Sequence, residues 1–155
     1  MHQRLVLQYL PKPSRRDLKE EAYWLCDTLG LSSGRDLEDL SIRIVLSLLE
    51  ESSRREGIAS EQLADLLGIT TGRVNHHIRN LSRSGVIYRN RRLIHLRGRS
   101  MRESVRELRK DADRIFDELE KVATEIDSMM GLPTGSEASE PHALAVPSPH
   151  NKLVI

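Results

Sequence analysis

The sequence predicts a mainly α fold with one small β-hairpin and a long C-terminal helix. Apolar residues recur at helical spacing in several separate segments. Two short helical segments closed by Gly68 and Gly85 are followed at once by two alternating runs, Val86–Arg89 and Arg92–Leu96. From Met101 to Met129 the apolar positions advance by alternating steps of four and three. With 155 residues, 38% of them hydrophobic and 30% charged, the chain suits one ordinary domain with appendages.

Taken in order, Leu5, Leu7 and Tyr9 alternate in a short arm that Pro11 and Pro13 end. Ser14 is the expected N-cap of a helix through Leu29, with Leu18, Ala22, Leu25, Cys26 and Leu29 on one face and Gly30 as its stop. After the turn-like Ser32-Ser33-Gly34, a second helix is expected from Asp36 to Glu51, its face made by Leu40, Ile44, Val45, Leu48 and Leu49. Gly57 breaks the pattern, Ile58-Ala59 is a short strand, and Ser60 caps a compact helix over 61–67. Thr70 caps the next helix, which runs from Thr71 to Arg83. The hairpin turns at Asn90-Arg91, and Gly98 separates it from a helix over 100–129. From Gly131 onward Pro, Ser, Gly, Ala and His dominate, a composition expected to be disordered. The resulting divisions are an arm and helix at 1–35, a central domain at 36–98, a long helix at 99–130 and a tail at 131–155.

Charge is distributed unevenly. Between Thr71 and Arg99 stand eight arginines (73, 79, 83, 89, 91, 92, 97 and 99) and no Asp or Glu, whereas acidic residues outnumber basic ones in the rest. A strongly cationic segment inside an otherwise acidic chain points to a polyanion-binding face. With five aromatic side chains in all, a base-stacking surface for single strands is not expected.

The segment from Ser60 to Ile87 is the most informative. Ala64 falls where two helices must cross closely, and Gly68 falls where the turn between them needs a positive φ. Val74, Ile78 and Leu81 give the second helix one buried stripe; its other face presents Thr71, Arg73, Asn75, His76, His77, Arg79 and Asn80. Arginine bonds guanine bidentately, asparagine does so with adenine, and threonine offers a hydroxyl or a methyl. The free amides at the helix start favour a phosphate.

This stretch resembles the winged helix-turn-helix repressors of the ArsR and MarR type. Leu-Ala-Asp-Leu-Leu-Gly-Ile-Thr at 63–70 is similar to their turn, Val-Asn-His-His-Ile-Arg-Asn-Leu at 74–81 to their recognition helix, and Ser-Gly-Val-Ile at 84–87 to the approach to their wing. The resemblance covers about Ile42–Arg97. It implies a winged helix-turn-helix domain with a small hairpin wing, binding double-stranded DNA. Thr71, Arg73, Asn75, His76 and Arg79 are the expected groove contacts. Arg89, Arg91 and Arg92 are expected on the wing, against the backbone or in the minor groove. Arg97 and Arg99 continue the same sign of charge.

In the long helix, Val105, Ala112, Leu119 and Ile126 occupy one seam position, and Met101, Leu108, Ile115, Val122 and Met129 the other. A sustained 3.5-residue period is the mark of a coiled coil, so this helix is expected to form a homodimer. Val105, Leu108, Ala112, Ile115, Leu119, Val122 and Ile126 are its seam, with Phe116 widening it. A bundle with the N-terminal helices is the other arrangement open to it.

Other function classes have little support. There is no nucleophile elbow, phosphate loop or paired-carboxylate pattern, so an enzyme is not expected. The single cysteine, Cys26, excludes a cysteine cluster for metal, and adjacent His76 and His77 point about 100° apart on a helix. No metal, cofactor or catalytic residue is expected. No apolar run suggests a membrane span or signal peptide, which fits a cytoplasmic, nucleoid-associated protein. The sequence therefore points to a dimeric, sequence-specific transcriptional regulator. The alternative is a winged helix used for protein docking, chromosome organisation or RNA binding.

Overall fold

The computed structural model describes residues 2–32, 38–54, 57–134 and 152–155. In chain order the elements are β1 (Val6–Gln8), α1 (Leu18–Thr28), α2 (Leu40–Ser52), β2 (Ile58–Ala59), α3 (Ser60–Leu67), α4 (Thr71–Ser84), β3 (Ile87–Asn90), β4 (Leu93–Leu96), α5 (Met101–Met129) and β5 (Lys152–Val154). The expected mainly α architecture, with a small hairpin and a long last helix, is what the chain adopts.

The helix ends follow local chemistry. Asp17, rather than Ser14, caps α1, its carboxylate accepting from the Glu20 amide at 3.4 Å. The second helix begins at Leu40, later than expected, because Asp39 takes a left-handed φ of 53°. A short polar side chain tolerates that conformation, but it is incompatible with a helix running through it. The turn residues Ser33-Gly34 and the expected helix start at Asp36 lie outside the described residues. Ser60 is already helical, so it does not cap α3; there the Gln62 side chain accepts from the Ala59 amide at 3.3 Å. Thr70 does cap α4, its Oγ1 accepting from the Arg73 amide at 3.3 Å. Ser100 does the same for α5, accepting from the Glu103 amide at 3.2 Å.

α2, α3 and α4 enclose the core with the sheet laid against one end. Ile44, Leu63, Val74, Ile78, Leu81 and Ile94 are all essentially inaccessible to solvent. The sheet has the order β2-β4-β3, antiparallel throughout, with Ile58 opposite Ile94 and Ile87 opposite Leu96. The hairpin turn lies at Arg91-Arg92, one residue beyond the expected position. Arg91 takes the left-handed conformation there, with φ 58°.

The chain ends depart from expectation. Lys152–Val154 pair antiparallel with β1, Val6 opposite Val154, and the backbones of Leu5 and Ile155 exchange two hydrogen bonds of 2.5 Å. The last four residues therefore do not belong to a disordered tail. A short apolar run, Leu153-Val154-Ile155, satisfies its own backbone and that of β1 by pairing. Residues 135–151 lie outside the described residues. The arm is also fastened to the domain: the Arg4 amide donates to Arg83 O at 2.7 Å and Gln3 Nε2 to Ser84 O at 3.2 Å.

Among the described residues, only the base of α5 is held by the rest of its own chain. Ser104 and Leu108 are buried, and Met101 and Val105 pack on the core. Leu108, expected in the dimer seam, instead belongs to the core of its own domain. Arg97 reaches α5 through Asp111, with Nη2 to Oδ1 at 3.0 Å, and Glu107 lies 3.7 Å from it. Beyond Ala112 no described residue covers the apolar stripe. Ile115, Phe116, Leu119, Val122 and Ile126 are each between 45% and 57% exposed. No described helix is long and apolar enough to cross a membrane.

Candidate nucleic-acid interface

The surface begins at the tight turn between α3 and α4. Gly68 closes α3 with φ 67°, and the Ile69 amide returns to Ala64 O at 3.1 Å. Arg43 of α2 secures the same corner by donating to Leu67 O at 3.1 Å. With α3 fixed there, α4 buries Val74, Ile78 and Leu81 and turns its opposite side outward.

On that outward side Arg73, His76 and Arg79 are exposed and Thr71 is half-buried at the helix start. Arg73 pairs with Glu38 at 3.0 Å, but both side chains are about half in water (48% and 56% exposed). An exposed pair of this kind contributes about 0–1 kcal/mol, so Arg73 is readily given up to another anion. His77 is not on this face. Its Nδ1 lies 3.1 Å from Ser41 Oγ of α2, and its ring meets that of His76 edge-on.

The hairpin extends the cationic surface. Arg91 and Arg92 stand exposed at its tip. Arg89 is exposed too, yet its guanidinium turns back toward α4, donating to Ser60 Oγ at 3.0 Å and to Asn75 Oδ1. On the opposite face of the hairpin Tyr88 and His95 stack, with ring centroids 5.0 Å apart. Arg97 leaves the expected cationic run, because its charge is engaged by Asp111 and Glu107 of α5. Arg99 remains exposed, its backbone amide donating to Glu103 Oε2 at 2.7 Å.

The structure thus gathers Thr71, Arg73, His76 and Arg79 on one helix face and Arg91 and Arg92 at a neighbouring tip, with Asn75 and Arg89 bonded between them. Glu38 and Ser60 were not anticipated as neighbours of this surface. Both are distant in sequence from the residues they bond, and only the tertiary fold brings them there.

A helix pair joined at a left-handed glycine, followed by a hairpin, is the arrangement of a known family, and residues 39–88 match it: winged helix-turn-helix DNA-binding. That segment is a winged helix-turn-helix domain. α1, β4 and α5 fall outside the matched residues. No curated protein and no solved structure matches the chain. In the terms of the winged helix, α4 is the recognition helix and β3–β4 the wing. The domain gives the molecule a DNA-binding module.

Proposed function

We propose that the protein is a homodimeric transcriptional regulator of the ArsR or MarR type that reads specific double-stranded DNA sequences. The recognition helix, 71–83, enters the major groove, and the wing, 86–96, lies on the backbone or in the minor groove. Thr71, Arg73, His76 and Arg79 make the groove contacts, and Arg91 and Arg92 neutralise phosphate or enter the narrow groove. Asn75 and Arg89 complete the surface between the two. One observation carries this reading: arginines from helix and wing tip lie exposed together on a segment that contains no carboxylate side chain.

The stripe on α5 that no described residue covers supports dimerisation. Ile115, Leu119, Val122 and Ile126 keep the 3.5-residue period that a supercoiled partner of the same pitch matches, and Ala112 leads into it. Two-fold pairing sets two recognition helices in successive major grooves roughly 34 Å apart, which favours an inverted-repeat site. Action on the chromosome accords with this reading.

Duplex binding measured across salt concentrations tests it. With about 6–8 phosphate contacts per dimer, affinity should fall steeply as salt rises. Arg91→Ala should weaken binding to most sequences and flatten that dependence by roughly one charge per protomer, whereas Arg73→Ala should weaken binding to particular sequences. Negligible duplex binding at low salt would assign the winged helix to protein docking instead.

A further inference from the structure

Three side chains meet where the recognition helix faces the wing. Ser60 opens α3, Asn75 lies in the second turn of α4, and Arg89 lies in β3. Ser60 Oγ donates to Asn75 Oδ1 at 2.9 Å, while Arg89 Nη2 donates to Ser60 Oγ at 3.0 Å and to Asn75 Oδ1. Asn75 presents its oxygen here, since its amide nitrogen would face the Arg89 guanidinium, which can only donate.

The register explains why Arg89 differs from its neighbours at the tip. It lies opposite Ile94, on the inward side of the hairpin that Ile87 and Leu96 also share, and those three apolar residues are buried. Its guanidinium therefore crosses to α4. An asparagine whose oxygen already accepts two donors cannot form the bidentate adenine contact without giving up at least one of those bonds. Ser60 is 4% exposed, too buried for a duplex to reach.

We infer that Ser60, Asn75 and Arg89 are a positioning unit that sets the angle of the wing on the recognition helix, and that Asn75 serves through Arg89 rather than as a base reader. The inference deepens the DNA-binding reading and rests on it for its consequence. The bonded triangle itself exists in the free protein. Its members come from three elements, so loss of any one frees the hairpin to tilt while α3 and α4 keep their own core.

Two measurements test the unit. The first is amide hydrogen exchange of the free protein. Ser60→Ala and Asn75→Ala should each speed exchange in β3 and β4 and leave α4 unchanged, whereas Asn75→Asp, which keeps an acceptor for Arg89, should protect the wing as the wild type does. Unchanged wing exchange in both alanine variants would overturn the proposal. The second is binding to a duplex library with a randomised core. Ser60→Ala and Asn75→Ala should weaken affinity by up to about tenfold on all recovered sequences, with an unaltered salt slope and no further loss in the double variant. Wild-type affinity in Ser60→Ala, with relaxed base choice at one position in Asn75→Ala, would also overturn it. A wild type that ignores the library would remove the DNA reading alone, and exchange would still decide the triangle.

Discussion

Cys26 sits on the inner face of α1 with 1% of its surface accessible. Burial, with Asp27 adding like charge, pushes its thiol up to about 12. The thiolate is the reactive form, so native protein should resist alkylation at pH 8 while denatured protein reacts promptly; mass spectrometry reads the difference. The sign for stability follows from proton linkage. The folded chain holds this proton above the ordinary thiol value of 9.0, so stability is fully present below that pH and declines as pH rises toward 12. The recognition-helix side chains show what a sequence discloses at this scale. Arg73, His76 and Arg79 were legible as outward because Val74, Ile78 and Leu81 fixed the inward stripe. The same period puts His77 at i+3 from Val74, on the buried side, and only its polarity suggested otherwise. The bonds of Asn75 to Ser60 and Arg89 left no local trace, since they join three elements.

The elements were legible where caps and glycines marked them: α4 from Thr70 to Gly85 and α5 from Ser100 onward. They were less so where a local competitor intervened, as at Asp39, whose left-handed backbone delays α2. The pairing of β5 with β1 could not be read from three apolar residues following a polar tail, because it depends on a return of the chain to its beginning. The seating of α5 is the element-scale contact most open to test. A hydrogen bond from Arg97 holds the Asp111 carboxyl below the usual carboxylate range despite partial burial, and Gln3 adds a second bond at 2.9 Å. The stabilisation is present above the ordinary carboxylate value and is lost as pH falls through the depressed one. Asp111→Asn should destabilise the protein by roughly 1–2 kcal/mol at pH 7. Urea titrations at pH 7 and in acid should show that deficit shrinking as the wild-type carboxylate protonates; a deficit equal at both pH values would assign the loss to packing.

The outer half of α5 raises the question for the whole molecule. A helix that leaves Leu119 at 57% and Met129 at 79% exposure displays a long apolar strip to water, and such strips mark interaction surfaces. Leu119→Asp should leave the winged domain folded, because that residue lies far from its core, yet give a monomer by light scattering and sharply weaker duplex binding. A variant that remains dimeric would remove α5 as the dimer contact. The repeat was legible over its whole length, and the nearness of the winged domain already favoured self-packing around Met101–Leu108 over the stretch beyond Ala112. Heptad spacing alone does not tell that Leu108 turns into its own domain while Ile115 does not.

The junction at Gly98 has a mechanical corollary. Gly98 takes φ 86° with Glu103 crowded against it: an added Cβ would lie 2.7 Å from that residue's Cβ. Beyond Asp111, the outermost of its anchored residues named above, α5 extends about 27 Å to Met129. A lever of that length magnifies angle into travel, and a tilt of about 5° at its root carries Met129 through roughly 2 Å. The clamp of Arg97 on Asp111 grips the lever near its fulcrum, where leverage is least and a small rotation is hardest to resist. Arg97 directly follows β4, so the clamp ties α5 to the end of the wing's second strand.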